Sequence, residues 1–94
     1  MSKVAVITGA TRGIGRALAL GLAKNGYNIV VSGKSTIENP KLPGTIYSVS
    51  DEVEKYGVKA LPVKVDLRYE NEIENLVSDT KKNFGKIDVL INNA

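Results

Sequence analysis

The residues of this chain whose types and spacing suggest chemistry are three glycines near its start. Gly9, Gly13 and Gly15 follow an apolar run over residues 4–7 and precede a helical pattern that begins at Ile14. A strand, a glycine turn and a helix in this order make a phosphate-binding corner, because the free N–H groups and the dipole of the helix start favour an anion. In this interpretation Gly9 lets the chain leave the strand, Gly13 lets backbone approach a pyrophosphate, and Gly15 lets the helix pack closely on the sheet.

The spacing of these glycines limits the kind of nucleotide site. It is G-x-x-x-G-x-G, not the G-x-G-x-x-G of the commonest dinucleotide fingerprint. A P-loop would need Lys and then Ser or Thr directly after its last glycine, whereas Arg16 and Ala17 follow Gly15. A purely structural turn is the alternative, but the preceding strand, the following helix and the later strand-helix alternation favour a nucleotide site.

The end of the second predicted strand indicates which dinucleotide would bind. In a dinucleotide fold this place faces the adenosine ribose, where an acidic residue would bind the 2′-hydroxyl and select NAD. Gly33 and Lys34 stand here instead, and Arg12 in the glycine turn can reach the same region. Cations without a competing carboxylate suit a 2′-phosphate, so we predict NADP(H) rather than NAD(H). The alternative is that Lys34 and Arg12 are ordinary solvated surface residues.

Asp66 is a further candidate at the carboxyl end of the third predicted strand, on the ligand side of a parallel sheet. Its carboxylate could accept a hydrogen bond from an adenine amino group. It could equally cap the turn that follows the strand.

Composition and charge exclude several other classes. Ninety-four residues allow one domain, and the net charge of +3 is spread along the chain without a basic run interleaved with aromatics, so no nucleic-acid partner is predicted. The sequence has no cysteine and no histidine, so no disulfide, thiolate or metal site is predicted. No apolar run approaches the ~18 residues of a membrane span, and no signal peptide is predicted. We expect a cytoplasmic protein, or a peroxisomal or mitochondrial one in a eukaryote.

Hydrophobic periodicity predicts an α/β fold with a Rossmann-type parallel sheet of about four strands in the order 3-2-1-4 and three helices. Pro62 cannot donate to a strand ladder, which favours an edge position for the third strand. Thr45 is the predicted N-cap of the second helix. The strands are predicted over about 4–8, 28–32, 59–65 and 87–91, and the helices over about 13–25, 46–56 and 70–83.

Helical spacing also predicts which side chains face the sheet. In the first helix these are Ile14, Ala17, Leu18 and Leu22, with Gly21 on the same face. Close packing would offset the ~1 kcal/mol cost of that mid-helix glycine. The predicted buried stripes of the second and third helices are Ile46, Val49, Val53 and Tyr56, and Ile73, Leu76, Val77, Thr80 and Phe84. The adjacent Asp51 and Glu52 are expected to be solvated and point in different directions, so they do not form a catalytic carboxylate pair.

Three motifs in this order, VAVITGATRGIG, VKVDL and IDVLINNA, resemble the N-terminal half of a short-chain dehydrogenase/reductase. Residues 40–68 resemble the hydroxysteroid dehydrogenase-like branch of that family. The resemblance implies pyrophosphate contacts from the residues of the glycine turn, which are Gly9, Ala10, Thr11, Arg12, Gly13, Ile14 and Gly15. It also implies Lys34 at the 2′-phosphate, Asp66 and Leu67 at adenine, and Asn93 and Ala94 near the ribose, while Asn92 fixes the fourth strand to its neighbours.

The family's catalytic Ser, Tyr and Lys would lie beyond residue 94, and the sequence contains no Tyr-x-x-x-Lys. That chemistry needs a phenol that exchanges a proton with the substrate carbonyl and an ammonium that stabilises the phenolate. No residue here is therefore predicted to be catalytic, and the 94 residues alone should be inactive. We expect residues 1–94 to be the N-terminal portion of a single Rossmann domain, truncated after the fourth strand, which would keep an open edge.

Two functions stay open from the sequence. One is the NADP(H)-binding part of a dehydrogenase that transfers hydride between nicotinamide and an alcohol or ketone. The other is a stand-alone, non-catalytic nucleotide-binding or self-assembling module. For the full-length protein the resemblance implies a small-molecule substrate, an alcohol or ketone on a lipid-like molecule, and a homo-oligomer.

Overall fold

A computed structural model describes residues 2–41 and 43–93 and has alternating strands and helices. The elements are β1 (Val4–Ile7), α1 (Gly13–Lys24), β2 (Asn28–Gly33), α2 (Ile46–Glu54), β3 (Ala60–Lys64), α3 (Glu70–Phe84) and β4 (Val89–Ile91). All strand pairs are parallel, and the strand order is β3-β2-β1-β4. The predicted fold class, strand order and edge position of the strand that contains Pro62 are confirmed. The predicted boundaries differ from these by no more than two residues.

The sheet is covered on both faces, because alternate side chains of its strands belong to two separate apolar clusters. Ala5, Ile7, Ile29 and Val31 pack with α1 and α2, whereas Val4, Val6 and Val30 pack with β3 and α3. This two-sided burial explains why β1 and β2 read as unbroken apolar runs instead of alternating ones. None of the described helices is long and apolar enough to cross a membrane.

The inward face predicted for α1 is wrong at four of its five residues, and only the fifth, Leu22, packs against the core. Ile14 is 71% exposed, and Leu18, Ala17 and Gly21 are exposed too, while Leu22 is only partly buried. The buried face consists of small residues at four-residue spacing, Gly15, Ala19 and Ala23. Both sets of residues have helical periodicity, and close approach to the sheet selects the smaller set. A Cβ added to Gly21 would meet no atom within 4 Å, so close packing does not explain that glycine.

Helix α2 begins at the predicted cap. The side chain of Thr45 accepts a hydrogen bond from the N–H of Ser48 at 3.0 Å, and the Ser48 hydroxyl accepts one from the N–H of Thr45 at 2.8 Å. This reciprocal arrangement satisfies two N–H groups that the helix itself leaves unpaired. Ile46, Val49 and Val53 are buried as predicted, but Tyr56 lies beyond the end of α2 and is exposed.

The buried face of α3 is narrower than predicted. Leu76 and Thr80 are buried and Phe84 is partly buried, in agreement with the spacing. Ile73 and Val77 are exposed, which the periodicity did not indicate. They line an apolar hollow of about 320 Å³ beside β4, whose Leu90 is 64% exposed.

Candidate nucleotide-binding site

A cleft of about 510 Å³ lies where the strands end at their carboxyl termini. Its walls come from the glycine turn after β1, the segment that begins at the end of β2, the segment after β3, and Asn92 after β4. Ligands of open parallel α/β sheets bind outside the carboxyl ends of the strands. The volume falls within the ~300–1,000 Å³ of ordinary small-molecule sites. The topology therefore brings the separate sequence motifs to one cleft.

Three glycines give the turn after β1 its shape, and Gly9, where the chain leaves the strand, has φ +62°. Gly13 has φ +60°, a left-handed conformation that favours glycine, and a Cβ added there would meet nothing within 4 Å, so its outer side is open. At Gly15 the limit is space, because a Cβ would overlap the carbonyl oxygen of Gly9 and lie 2.6 Å from Nδ2 of Asn93. Gly15 thus lets α1 pack against the turn itself, and Gly13 leaves backbone accessible from outside.

Hydrogen bonds connect the glycine turn to β2 and connect β2 to the end of β1. The N–H of Ala10 donates to the carbonyl oxygen of Ser32 at 3.0 Å, and the Ser32 hydroxyl donates to the carbonyl oxygen of Ile7 at 2.8 Å. Ala10 is fully buried between the sheet and helices α1 and α2. The Ala10 N–H is therefore engaged within the protein and does not point into the cleft.

The residues after β4 hold the other side of the turn. The hydroxyl of Thr8 donates to the side-chain oxygen of Asn92 at 3.1 Å and accepts from the N–H of Asn93 at 3.0 Å. The side-chain amide of Asn93 donates to the carbonyl oxygen of Gly9 at 3.3 Å. The contact of Asn92 agrees with its predicted structural role. Asn93 also has a structural role, which the sequence did not reveal, because it joins the glycine turn to the end of β4. A contact from Asn93 to a ribose stays a prediction, and Ala94 lies outside the described residues.

Three cationic side chains line the cleft, Arg12, Lys34 and Arg68. The guanidinium of Arg12 donates to the hydroxyl of Ser35 at 2.8 Å and to the carbonyl oxygen of Gly44 at 3.4 Å. Gly44 itself lies against the glycine turn, because a Cβ added there would overlap the carbonyl oxygen of Thr11. The connection from β2 to α2 is thus packed on the turn and holds Arg12 at the cleft, while Lys34 is exposed.

Asp66 is bound to a neighbouring arginine. Its Oδ2 accepts from Nη2 of Arg68 at 2.7 Å, and its Oδ1 accepts from Nε and from the backbone N–H of Arg68, both at 3.0 Å. The side-chain hydrogen bonds from Arg68, followed by the backbone one, lower the pKa of Asp66 from 3.8 to about 2. The carboxylate therefore caps the turn after β3, which is one of the two predicted roles. Its contact with adenine stays a prediction.

The chain is similar to known proteins over most of its length. Residues 3–94 match the family model described as short chain dehydrogenase. The chain belongs to the short-chain dehydrogenase family. It is 53% identical over 88 residues to hydroxysteroid dehydrogenase-like protein 2 of Rattus norvegicus, covering 94% of this chain and 17% of the rat protein. Similarity to this branch of the family was predicted from residues 40–68 and is confirmed.

Solved structures of a dehydrogenase and a reductase have the same fold. A short chain dehydrogenase of Mycobacterium thermoresistibile is 42% identical with a TM-score of 0.93, over 98% of this chain and 33% of that one. L-sorbose reductase of Gluconobacter frateurii, solved with NADPH and L-sorbose, is 35% identical with a TM-score of 0.83, over 99% of this chain and 33% of that one. The chain thus spans about a third of these solved proteins and about a fifth of the curated relatives it matches.

The cleft of this short-chain dehydrogenase chain contains some of the predicted cofactor residues and not others. Those that line it are Gly9, Thr11, Arg12, Lys34, Asp66 and Leu67. Those that do not are Ala10, Gly13, Ile14, Gly15 and Asn93, which form or support the adjoining turn and helix start. Ile14 is solvent-exposed there instead of facing the sheet.

Four polar residues that line the cleft had no cofactor role predicted from the sequence, and they are Thr8, Ser35, Arg68 and Asn92. A signal for Arg68 was present, since an arginine two residues after an aspartate at a strand end suits an aspartate-capped turn. Ser35 had no comparable signal, because its partner Arg12 is 23 residues away in the chain. Glu52 was predicted to be solvated but forms an ion pair with Arg16 that joins α1 to α2.

Proposed function

We propose that this chain is the NADP(H)-binding part of a short-chain dehydrogenase that transfers hydride between nicotinamide and an alcohol or ketone. The observation that carries the proposal is one cleft at the strand ends that Arg12 and Lys34 line together with Gly33. A carboxylate at position 33 would select NAD, whereas glycine there adds no negative charge that would compete with a 2′-phosphate for the two cations. The NADPH complex of the similar L-sorbose reductase supports the choice of cofactor.

The described residues fit such a cofactor in shape and charge. The open backbone at Gly13 suits a pyrophosphate, and the first turn of α1 has no acidic residue that would oppose an anion at the helix start. Arg12 and Lys34 would hold the 2′-phosphate, while Asp66 and Leu67 would border adenine. Gly9, Ala10, Thr11, Ile14 and Gly15 would complete the pyrophosphate turn, and Asn93 and Ala94 would lie near the ribose.

When bound, the nicotinamide supplies hydride chemistry, and this chain supplies binding and orientation. The side chains that exchange a proton with the substrate are proposed to lie outside residues 1–94, since the sequence has no Tyr-x-x-x-Lys. We therefore propose that the chain by itself binds the cofactor without turnover. In the whole protein we propose a small-molecule alcohol or ketone substrate, a homo-oligomer and a cytoplasmic location.

The decisive experiment titrates the 94-residue protein and two Gly33 variants of it with NADPH and with NADH. Gly33→Asp should reverse the preference for NADPH by about tenfold or more, because it adds a carboxylate that repels the 2′-phosphate and binds a 2′-hydroxyl. A Cβ at this position would lie 3.1 Å from the methyl carbon of Thr11, so Gly33→Ala is the matched control for that contact. An unchanged NADPH-to-NADH ratio in a folded Gly33→Asp protein would refute the assignment.

Catalysis separates the proposal from a stand-alone module. Residues 1–94 would replace the matching third of the Mycobacterium thermoresistibile dehydrogenase, which aligns with 98% of this chain. Hydride transfer by a folded chimera with NADP⁺ or NADPH is the expected result, since binding and orientation would come from this chain. A chimera that folds and binds NADPH without any turnover, together with a soluble printed chain that binds it tightly, would favour the non-catalytic module.

A further inference from the structure

The cleft contains one feature that conflicts with binding a highly charged phosphate. Among the cleft-lining residues of the described chain, Asp66 is the single carboxylate, and it shares the cleft with Arg12 and Lys34. With its pKa lowered to about 2, Asp66 is ionised at any pH near neutrality. A bare carboxylate there would repel a 2′-phosphate and attract Lys34, one of the cations that the phosphate needs.

Arg68 is placed to neutralise this carboxylate. Its guanidinium presents Nε and Nη2 to the two carboxylate oxygens at 3.0 and 2.7 Å, the bidentate geometry that arginine forms best. The outer side of the guanidinium lies over the Tyr69 ring, 5.6 Å from its centre, and the Arg68 side chain is 72% exposed while that of Asp66 is 14% exposed. The pair therefore forms one wall of the cleft with Asp66 on its inner side.

The positive charge of Lys34 also acts on the Asp66 carboxylate. The charge of Lys34 contributes, as the weakest of several causes, to lowering the pKa of Asp66. The two groups thus lie close enough to interact even while Arg68 is paired with Asp66. If Arg68 were absent, Lys34 would be the other cation that acts on Asp66, and its ammonium would be drawn away from a bound phosphate.

We propose that Arg68 is a positioning residue for cofactor choice: by pairing with Asp66 it leaves Lys34 to the 2′-phosphate of NADP(H). This inference rests on the proposed function. It adds Arg68, which lies outside both the glycine turn and the end of β2, to the residues that determine the preference for NADP(H) over NAD(H). Arg68 acts through Asp66 and not through the phosphate. NADH lacks the 2′-phosphate, so its binding should be almost indifferent to Arg68.

The test measures dissociation constants for NADPH and NADH in the 94-residue protein and in its chimera with the Mycobacterium thermoresistibile dehydrogenase. Circular dichroism checks that each protein is folded. Arg68→Gln should weaken NADPH by about fivefold, the size expected when one partly solvated charge is left unpaired near a dianion, and change NADH less than twofold. The double variant Asp66→Asn/Arg68→Gln should bind NADPH within twofold of the single Asp66→Asn variant and more tightly than Arg68→Gln, because asparagine keeps the turn-capping oxygen but carries no charge for Arg68 to neutralise.

Two further variants make the comparison strict. Arg68→Lys keeps the positive charge without the bidentate fork and should retain most of the NADPH preference. Arg16→Gln removes an arginine that pairs with Glu52 between α1 and α2 and does not line the cleft, so it controls for the lost charge and should leave the NADPH-to-NADH ratio unchanged.

Several results would overturn the inference. Equal weakening of both cofactors by Arg68→Gln would mean that Arg68 only supports the turn or the adenine region. A double variant as weak for NADPH as Arg68→Gln alone would mean that Arg68 touches the phosphate directly. Either result leaves the proposed function intact if the original protein prefers NADPH. A folded original protein that binds neither dinucleotide would refute the proposed function and this inference together.

Discussion

Replacing Gly15 with alanine tests the packing that positions the candidate site. The added methyl group would overlap the carbonyl oxygen of Gly9 and lie 2.9 Å from its carbonyl carbon, and both of these atoms belong to backbone that cannot rotate away. It would also crowd the amide of Asn93, whose hydrogen bond to the Gly9 carbonyl joins the turn to the end of β4. We therefore expect α1 to be pushed off the turn.

The magnitude follows from two opposing effects. Alanine in place of glycine stabilises a helix interior by about 0.5–1 kcal/mol. Overpacking against well-packed atoms costs about 1–3 kcal/mol, and the upper end applies at Gly15 because the obstacle is backbone. The expected net loss is about 2 kcal/mol of unfolding free energy, which in a domain of this size lowers the melting temperature by about 8–15 °C.

Gly21 provides the matched control in the same helix. A Cβ there would meet no atom within 4 Å, so Gly21→Ala should show only the helix-propensity gain and raise the melting temperature by about 2–8 °C. Thermal and guanidinium unfolding of both variants, followed by circular dichroism, measures the difference. A Gly15→Ala protein as stable as the original would refute the packing of α1 on the glycine turn. A strongly destabilised Gly21→Ala protein would mean that Gly21 lies on the buried face of α1, as periodicity alone predicted.

Three other predictions concern single side chains. Thr45→Ala should lower the free energy of unfolding in urea by about 1 kcal/mol, because it removes the oxygen that caps α2. The control Thr36→Ala, in the connection before α2, should change the free energy of unfolding little. Equal effects of the two variants would contradict the cap. Lys34→Gln should weaken NADPH more than NADH and reduce the salt dependence of NADPH binding, and a cofactor-independent loss would argue against its role. The folded-state pKa of Asp66 is below its unfolded value, so its contribution to stability is present above about pH 4 and is lost as the pH falls towards 2. Melting temperatures between pH 2 and 5 should therefore fall more steeply for the original protein than for Asp66→Asn, and parallel curves would contradict the Asp66–Arg68 pairing.

Local patterns in the sequence were enough for much of the fold. Apolar runs bounded by glycines placed each strand and helix within two residues, and Pro62 correctly marked an edge strand. The cap at Thr45 and the cations Arg12 and Lys34 at the cleft were also found this way. These features depend on near neighbours in the chain or on a general rule of parallel sheets, that strand ends meet at one edge.

The sequence by itself therefore determined the order of elements and the family, and it predicted that Arg12 and Lys34 lie at one edge of the sheet. Only the tertiary structure decided which face of α1 is buried, because two faces share the helical period and the distance to Gly9 selects the one with Gly15. It also decided the partners of Arg12, since Ser35 and Gly44 approach it only when the connection after β2 folds onto the glycine turn. Contacts between residues that are far apart in the chain depend on this folding back, and no local pattern encodes them.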